Sequence, residues 1–120
     1  KINKLARVEY ALTRRERIRR RPEFLRVQRQ GVREQGRHLT LFILPNGLDM
    51  TRLGVIATRR LGGSTRRNRS KRLARELFRQ NKGRPGFDIV ALLRPGFSDV
   101  SFNVLEIDYR SVLQRGTVTR

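Results

Sequence analysis

Residues 53–93 read LGVIATRRLGGSTRRNRSKRLARELFRQNKGRPGFDIVALL. Two apolar runs, Leu53 to Thr58 and Phe87 to Leu93, bracket an arginine-rich stretch of helical periodicity that extends to about Gln80. The first run is short and rich in β-branched residues. The second is almost uninterrupted, as a strand buried on both faces requires. Ser64, after Gly62-Gly63, is the expected N-cap, and Asn81-Lys82-Gly83-Arg84-Pro85-Gly86 forms the stop. Strand, helix and strand within about 40 residues make a βαβ unit.

The helix of that unit is two-sided. At about 100° per residue, Ser70, Leu73, Ala74, Leu77 and Phe78 fall on one half of the wheel. Asn68, Arg69, Lys71, Arg72, Arg75 and Arg79 fall on the other. Like charges at i,i+3 and i,i+4, such as Arg69 with Arg72 and Arg75 with Arg79, each destabilise a helix by a few tenths of a kcal/mol. A solvated surface helix usually interleaves Glu, and this face has Glu76 alone. Repulsion along a whole face is relieved by a polyanion. Asn68 fits either of two roles: an amide reading a base edge or sugar hydroxyl, or a first-turn residue bonding to backbone.

Working outward, Arg-Pro-Glu-Phe at 21–24 starts a short helix over about 22–30 that Gly31 stops. His38 to Pro45 (HLTLFILP) is an apolar run ended by proline and read as a strand, and Pro45-Asn46-Gly47 marks a turn. The segment from Ser101 to Gln114 is ambiguous. Leu105, Ile107 and Tyr109 alternate with charged residues as in a strand, whereas Leu105, Tyr109, Val112 and Leu113 recur as in a helix. Residues 1–11 have weak pattern and are read as an extension preceding a single domain over 12–120.

Composition says what such a fold would meet. The 120 residues carry 29 basic and 10 acidic side chains, a formal charge of +19. Most of the bases are arginine, whose planar fork meets phosphate bidentately, although a GC-rich genome would raise arginine too. Thr13 to Arg37 is net +7 and Ala57 to Lys82 is net +9, while Pro85 to Arg120 is neutral. The charge is therefore organised around a fold, and the partner is a polyanion, nucleic acid before membrane. The absence of cysteine excludes disulfides, thiolate metal sites and thiol catalysis. With His38 the single histidine and carboxylates scarce in the basic segments, catalysis by protein side chains is not expected. No apolar run approaches the ~18–20 residues of a membrane span, and a cytoplasmic location is expected.

The stretch GGSTRRNRSKRLARELFR (62–79) resembles the Arg-Asn-Arg helix of the bacterial ribonuclease P protein family. The resemblance continues upstream through VIATRR (55–60) and RRPEFLRV (20–27), and downstream through DIVALLRPG (88–96). About residues 12–115 line up in order.

This resemblance implies an α/β (α+β) two-layer sandwich of order α-β-β-β-α-β-α around a central mixed four-stranded sheet. The βαβ crossover carries the basic helix, and the ambiguous tail becomes a helix over about 101–115. It further implies binding to the catalytic RNA of ribonuclease P and to the single-stranded 5′ leader of precursor tRNA, with no role for DNA or membranes. Arg67, Asn68, Arg69, Lys71, Arg72 and Arg75 would face the catalytic RNA, while Phe24, Arg59 and Arg60 would line the leader cleft. Catalysis, and most of the Mg²⁺, would belong to the RNA, and no metal is assigned to the protein itself. On the residues alone, Phe24 fits equally an ordinary helix-to-sheet core position. The family often has a second aromatic one turn later, where this chain has Gln28, so stacking would be weaker or shifted to Phe42. A ribosomal or other structured-RNA-binding protein shares the composition but not the ordered motifs.

Overall fold

Alternation along the strands divides the core of this protein into two unequal parts. The structure, a computed structural model, describes residues 12–118. In chain order its elements are α1 (Arg21–Gln30), β1 (Val32–Gln35), β2 (Leu39–Pro45), β3 (Arg52–Ile56), α2 (Ser64–Gln80), β4 (Phe87–Leu93) and α3 (Phe102–Thr117). Single 3-10 turns lie at Arg14–Glu16, Arg59–Leu61 and Phe97–Asp99. The extension read over residues 1–11 lies outside the described residues.

The sheet order is β1-β2-β4-β3. β2 runs antiparallel to β1 and β4, and β3 runs parallel to β4, with Leu53 opposite Ile89 and Val55 opposite Ala91. The mixed four-stranded sheet and the order α-β-β-β-α-β-α are those expected, with α2 as the crossover between parallel neighbours. Leu39, Leu41 and Ile43 of β2 and Ile89, Ala91 and Leu93 of β4 join Leu77, Phe78, Leu105, Tyr109 and Val112 in the larger cluster. Phe42 and Val90, one residue out of phase, join Ile18 and Val27 in the smaller one. The sheet with α2 and α3 forms the two-layer sandwich. α1 adds partial cover on the opposite face and leaves hollows there.

Four details depart from the reading of the residues. β1 (VREQ) escaped the apolar pattern because it is a polar edge strand, alternately half-buried and exposed. Ser64 is the first helical residue of α2 rather than its cap; Gly63 holds the cap position and no side chain caps the helix. The ambiguous tail is helical: Leu105, Tyr109, Val112 and Leu113 are buried, whereas Ile107 is 71% exposed, so helical phase and not alternation matches burial. Gly31 ends α1 from extended backbone (φ −78°), and what requires glycine is space, since a Cβ there would lie 2.5 Å from the Val27 carbonyl oxygen.

Candidate nucleic-acid interface

Helix α2 is held by its apolar half. Leu77 and Phe78 are fully buried, and each contributes about 1.5–3 kcal/mol of hydrophobic stabilisation. That exceeds the few tenths of a kcal/mol lost at each like-charged pair on the other half. Ser70, also fully buried, is satisfied by donating to the Arg66 carbonyl oxygen at 2.9 Å. Asn68, Arg69 and Arg72 are exposed, and Arg67, Lys71 and Arg75 are half-buried at the edges of that face.

None of these six side chains has an ion pair or hydrogen bond among the described residues. Five carboxylates pair with other cations: Asp88 with Arg26 and Arg52, Asp99 with Arg66, Glu16 with Lys82, Glu34 with Arg115, and Glu76 with Arg79. Charge therefore remains unneutralised along this strip of α2, where the cations are contiguous, and the Asn68 side chain makes none of the local backbone bonds that were its alternative role.

Phe24 lies on the inner side of α1, half-buried, and lines an open hollow of about 440 Å³ with Arg19, Arg21, Gln28, Ile56 and Lys71. Its ring rests on the backbone of Gly54 in β3, where an added Cβ would come within 2.6 Å of Cε1. Both readings of Phe24 thus have a physical basis, since one part of the ring packs against the sheet and the residue also borders the hollow. Gln28 stands in the same hollow, so the second lining position is an amide. Phe42 faces this side of the sheet but is only 8% exposed and offers little surface for stacking.

Arg59 and Arg60 are exposed on the 3-10 turn that buried Leu61 anchors. They line a neighbouring hollow of about 620 Å³ with Arg33, Thr40, Leu92 and Arg94. The three residues expected to line a leader cleft are therefore split between two hollows, with Phe24 and Lys71 of α2 in one and Arg59 with Arg60 in the other. Sequence reasoning did not single out Arg19, Arg21, Arg33 or Arg94. Nothing in their local pattern separates them from other arginines, because convergence depends on which strands are neighbours.

A buried charge cluster sets the position of α1. The Asp88 carboxylate, fully buried in β4, accepts from Arg52 Nε at 2.9 Å and Nη2 at 2.7 Å. It also accepts from Asn46 Nδ2 at 2.9 Å and from Arg26 Nη2 at 3.2 Å. Arg52 in turn donates to Glu23 Oε2 at 3.3 Å. Hydrogen bonding to Asp88 raises the Arg52 guanidinium above its ordinary pKa, against the opposing effect of burial. Glu23 and Arg26 flank Phe24 and Leu25 on α1, so the cluster fixes the helix that carries the aromatic.

Among the described residues no three His, Cys, Asp or Glu side chains gather closely enough to hold a metal ion. Apart from the single amide oxygen of Asn68, the exposed strip of α2 offers N–H donors rather than the oxygen ligands Mg²⁺ requires. These residues do not fit a protein-held Mg²⁺. His38, immediately before β2, is half-buried, and its backbone N–H donates to Asp108.

Comparison with known proteins decides among RNA-binding classes. The family model described as "Ribonuclease P" matches residues 12–117. The chain belongs to the ribonuclease P protein family. It is 44% identical over 91 residues to the ribonuclease P protein component of Thermotoga maritima, covering 74% of this chain and 78% of that protein. The component of Syntrophus aciditrophicus is 39% identical over 89 residues, covering 72% and 75%. Among solved structures, the RNase P protein of Staphylococcus aureus superposes with a TM-score of 0.76 at 26% identity, covering 88% of this chain and 98% of that one. The RNase P protein from Thermotoga maritima gives 0.75 at 38% identity, covering 83% and 96%. A ribonuclease P protein component is one part of an endoribonuclease holoenzyme, and its partner is an RNA. No helix among the described residues is long and apolar enough to cross a membrane.

Proposed function

We propose that this ribonuclease P protein binds the catalytic RNA of the holoenzyme through Arg67, Asn68, Arg69, Lys71, Arg72 and Arg75. It holds the single-stranded 5′ leader of precursor tRNA with Phe24, Arg59 and Arg60, and so promotes 5′-end maturation of tRNA in the cytoplasm. The observation that carries the reading is the strip of α2 cations left without carboxylate partners. Such a strip gains by meeting phosphates, because the repulsion along the helix is then exchanged for charge-assisted hydrogen bonds.

The leader side rests on sequence tolerance. Leaders differ between tRNAs, and an aromatic surface stacks any base for about 1–3 kcal/mol while arginines track the backbone. With Phe24 in one hollow and Arg59 with Arg60 in the next, a strand crossing both would stack first and be held by its phosphates beyond. Hydrolysis, and most of the Mg²⁺ that supports it, is assigned to the RNA. The protein's own work is to bind, orient and neutralise.

Reconstitution with a ribonuclease P RNA at low Mg²⁺ tests this. Addition of the protein is expected to restore leader cleavage, and protein alone with Mg²⁺ is expected to cleave nothing. Failure to restore cleavage, or recovery of ribosomal RNA on purification from cells, would overturn it.

A further inference from the structure

A third basic hollow, of about 430 Å³, opens between the N-terminal 3-10 turn and α2, lined by Leu12, Arg17, Asn68, Lys71, Arg72, Arg75 and Glu76. Arg17 comes from outside the helix. Its backbone is pinned at the free edge of β3, where it forms a parallel bridge with Leu53 and the Ile18 N–H donates to the Leu53 carbonyl oxygen at 2.9 Å. Its side chain turns toward α2, and its Nε is buried without a hydrogen-bond partner.

A buried, unpaired guanidinium N–H costs roughly 1–3 kcal/mol or more and calls for an explanation. Among the described residues no carboxylate supplies one. Glu16, the immediate neighbour, is taken by Lys82 and by the Thr13 backbone and hydroxyl. Glu76, at the rim, is taken by Arg79 and Gln80. Meanwhile Arg75 is desolvated and faces the like charge of Arg17, and both effects lower its pKa. Among the described residues, four cations and an amide thus converge on a space whose one carboxylate, Glu76, is engaged elsewhere.

We propose that this hollow seats one phosphodiester group of RNA, with Arg17 as its contact from outside the helix and Lys71, Arg72 and Arg75 completing the site. The inference rests on the reading of α2 as RNA-facing, and extends it from a helix face to a two-element pocket. The phosphate completes the hydrogen bonding of Arg17 Nε and places a negative charge between two guanidiniums, Arg17 and Arg75, that otherwise repel.

The test uses the whole protein with Arg17→Met, which keeps the apolar stem and removes the charge, and Arg17→Lys, which keeps the charge. Affinity is measured against salt, first with ribonuclease P RNA alone and then with the assembled holoenzyme and precursor tRNA. Arg17→Met is expected to weaken one of these about tenfold. The slope of log K against log salt should become shallower by about 0.7–0.9, the share of one bound phosphate. The arm that responds identifies which RNA supplies the phosphate. Arg17→Lys should recover the slope. The thermal midpoint of free Arg17→Met protein should hold or rise, because a repulsion is removed. Unchanged affinity and slope in both arms, or a slope lost equally in Arg17→Lys, would overturn the pocket. Arg69→Ala runs alongside: if it weakens RNA binding while Arg17→Met does not, only the pocket is wrong, and if neither does, the RNA-facing reading of α2 falls with it.

Discussion

Phe24 packs against the sheet and at the same time borders an open hollow, and substitution can separate the two contributions. Removing the ring in Phe24→Ala loses packing over Gly54, and also any stacking with an unpaired base. If the leader reading holds, holoenzyme carrying the variant loses about 1–3 kcal/mol of affinity for precursor tRNA and little for mature tRNA, measured side by side. Equal losses for the two would return Phe24 to the core alone. Gly54→Ala approaches the same packing from the opposite side. Its Cβ would need to stand 2.6 Å from the ring, so Phe24 must move. Overpacking of this kind costs about 1–3 kcal/mol, read as a drop in urea midpoint at constant m value.

At the scale of elements, α2 and α3 show how differently periodicity serves two helices. The basic and apolar halves of α2 are separable from the residues, because charge and hydrophobicity coincide there with one phase. In α3 the apolar residues satisfy both a period of two and a helical period, and the burial of Val112 and Leu113 together with the exposure of Ile107 breaks the tie. β1 is the opposite case, since its four residues carry too little apolar character to register as a strand. Its pairing with β2 supplies what its side chains do not: Val32 opposite Ile43 and Glu34 opposite Leu41 in an antiparallel ladder. For α2 the expectation is electrostatic. Replacing Arg69 and Arg72 together with Ala should weaken RNA binding and make its salt dependence shallower by about 0.7–0.9 for each phosphate no longer bound. It should also leave stability unchanged or slightly improved, since both side chains are exposed and repel their neighbours. A retained slope would show that this face does not touch RNA.

Across the whole molecule, charge does two separate jobs. Among the described residues most arginines face outward without a carboxylate partner, but Arg52, largely buried, and Arg26, from the surface, both reach the fully buried Asp88 carboxylate. Removing one partner of such a cluster leaves buried charge uncompensated. Asp88→Ala should therefore destabilise the fold by about 3 kcal/mol, seen in thermal or denaturant unfolding. Because the same cluster positions α1, the milder Asp88→Asn should cost less stability yet still loosen discrimination between precursor and mature tRNA. A second whole-molecule effect is acid sensitivity. Burial opposes ionisation of Glu16, but hydrogen bonds from Lys82 and Thr13 outweigh it and lower its pKa, and hydrogen bonding from Arg79 lowers that of Glu76. Depressed carboxylates stabilise the fold above their ordinary value of 4.5, and this stability is lost as pH falls through the lower folded values. Thermal midpoints should fall below about pH 4.5, and Glu16→Gln should flatten part of that decline, by under about 1 kcal/mol given the exposure of Lys82.

The features legible from residue order are local and periodic: the βαβ unit, the two-sided basic helix, the ordered motifs that mark the family, and the neutral last third. Chain connectivity within one element is enough for these, because helical and strand periods are written residue by residue. Which arginines converge is set by the folded arrangement. Arg17 meets Arg75 because an N-terminal turn docks on the free edge of β3, and Phe24 parts from Arg59 and Arg60 because α1 covers half of a face. Both outcomes depend on strand order and on which carboxylates reach which cations across the fold. Those are meetings between residues far apart in the chain, and no local period encodes them.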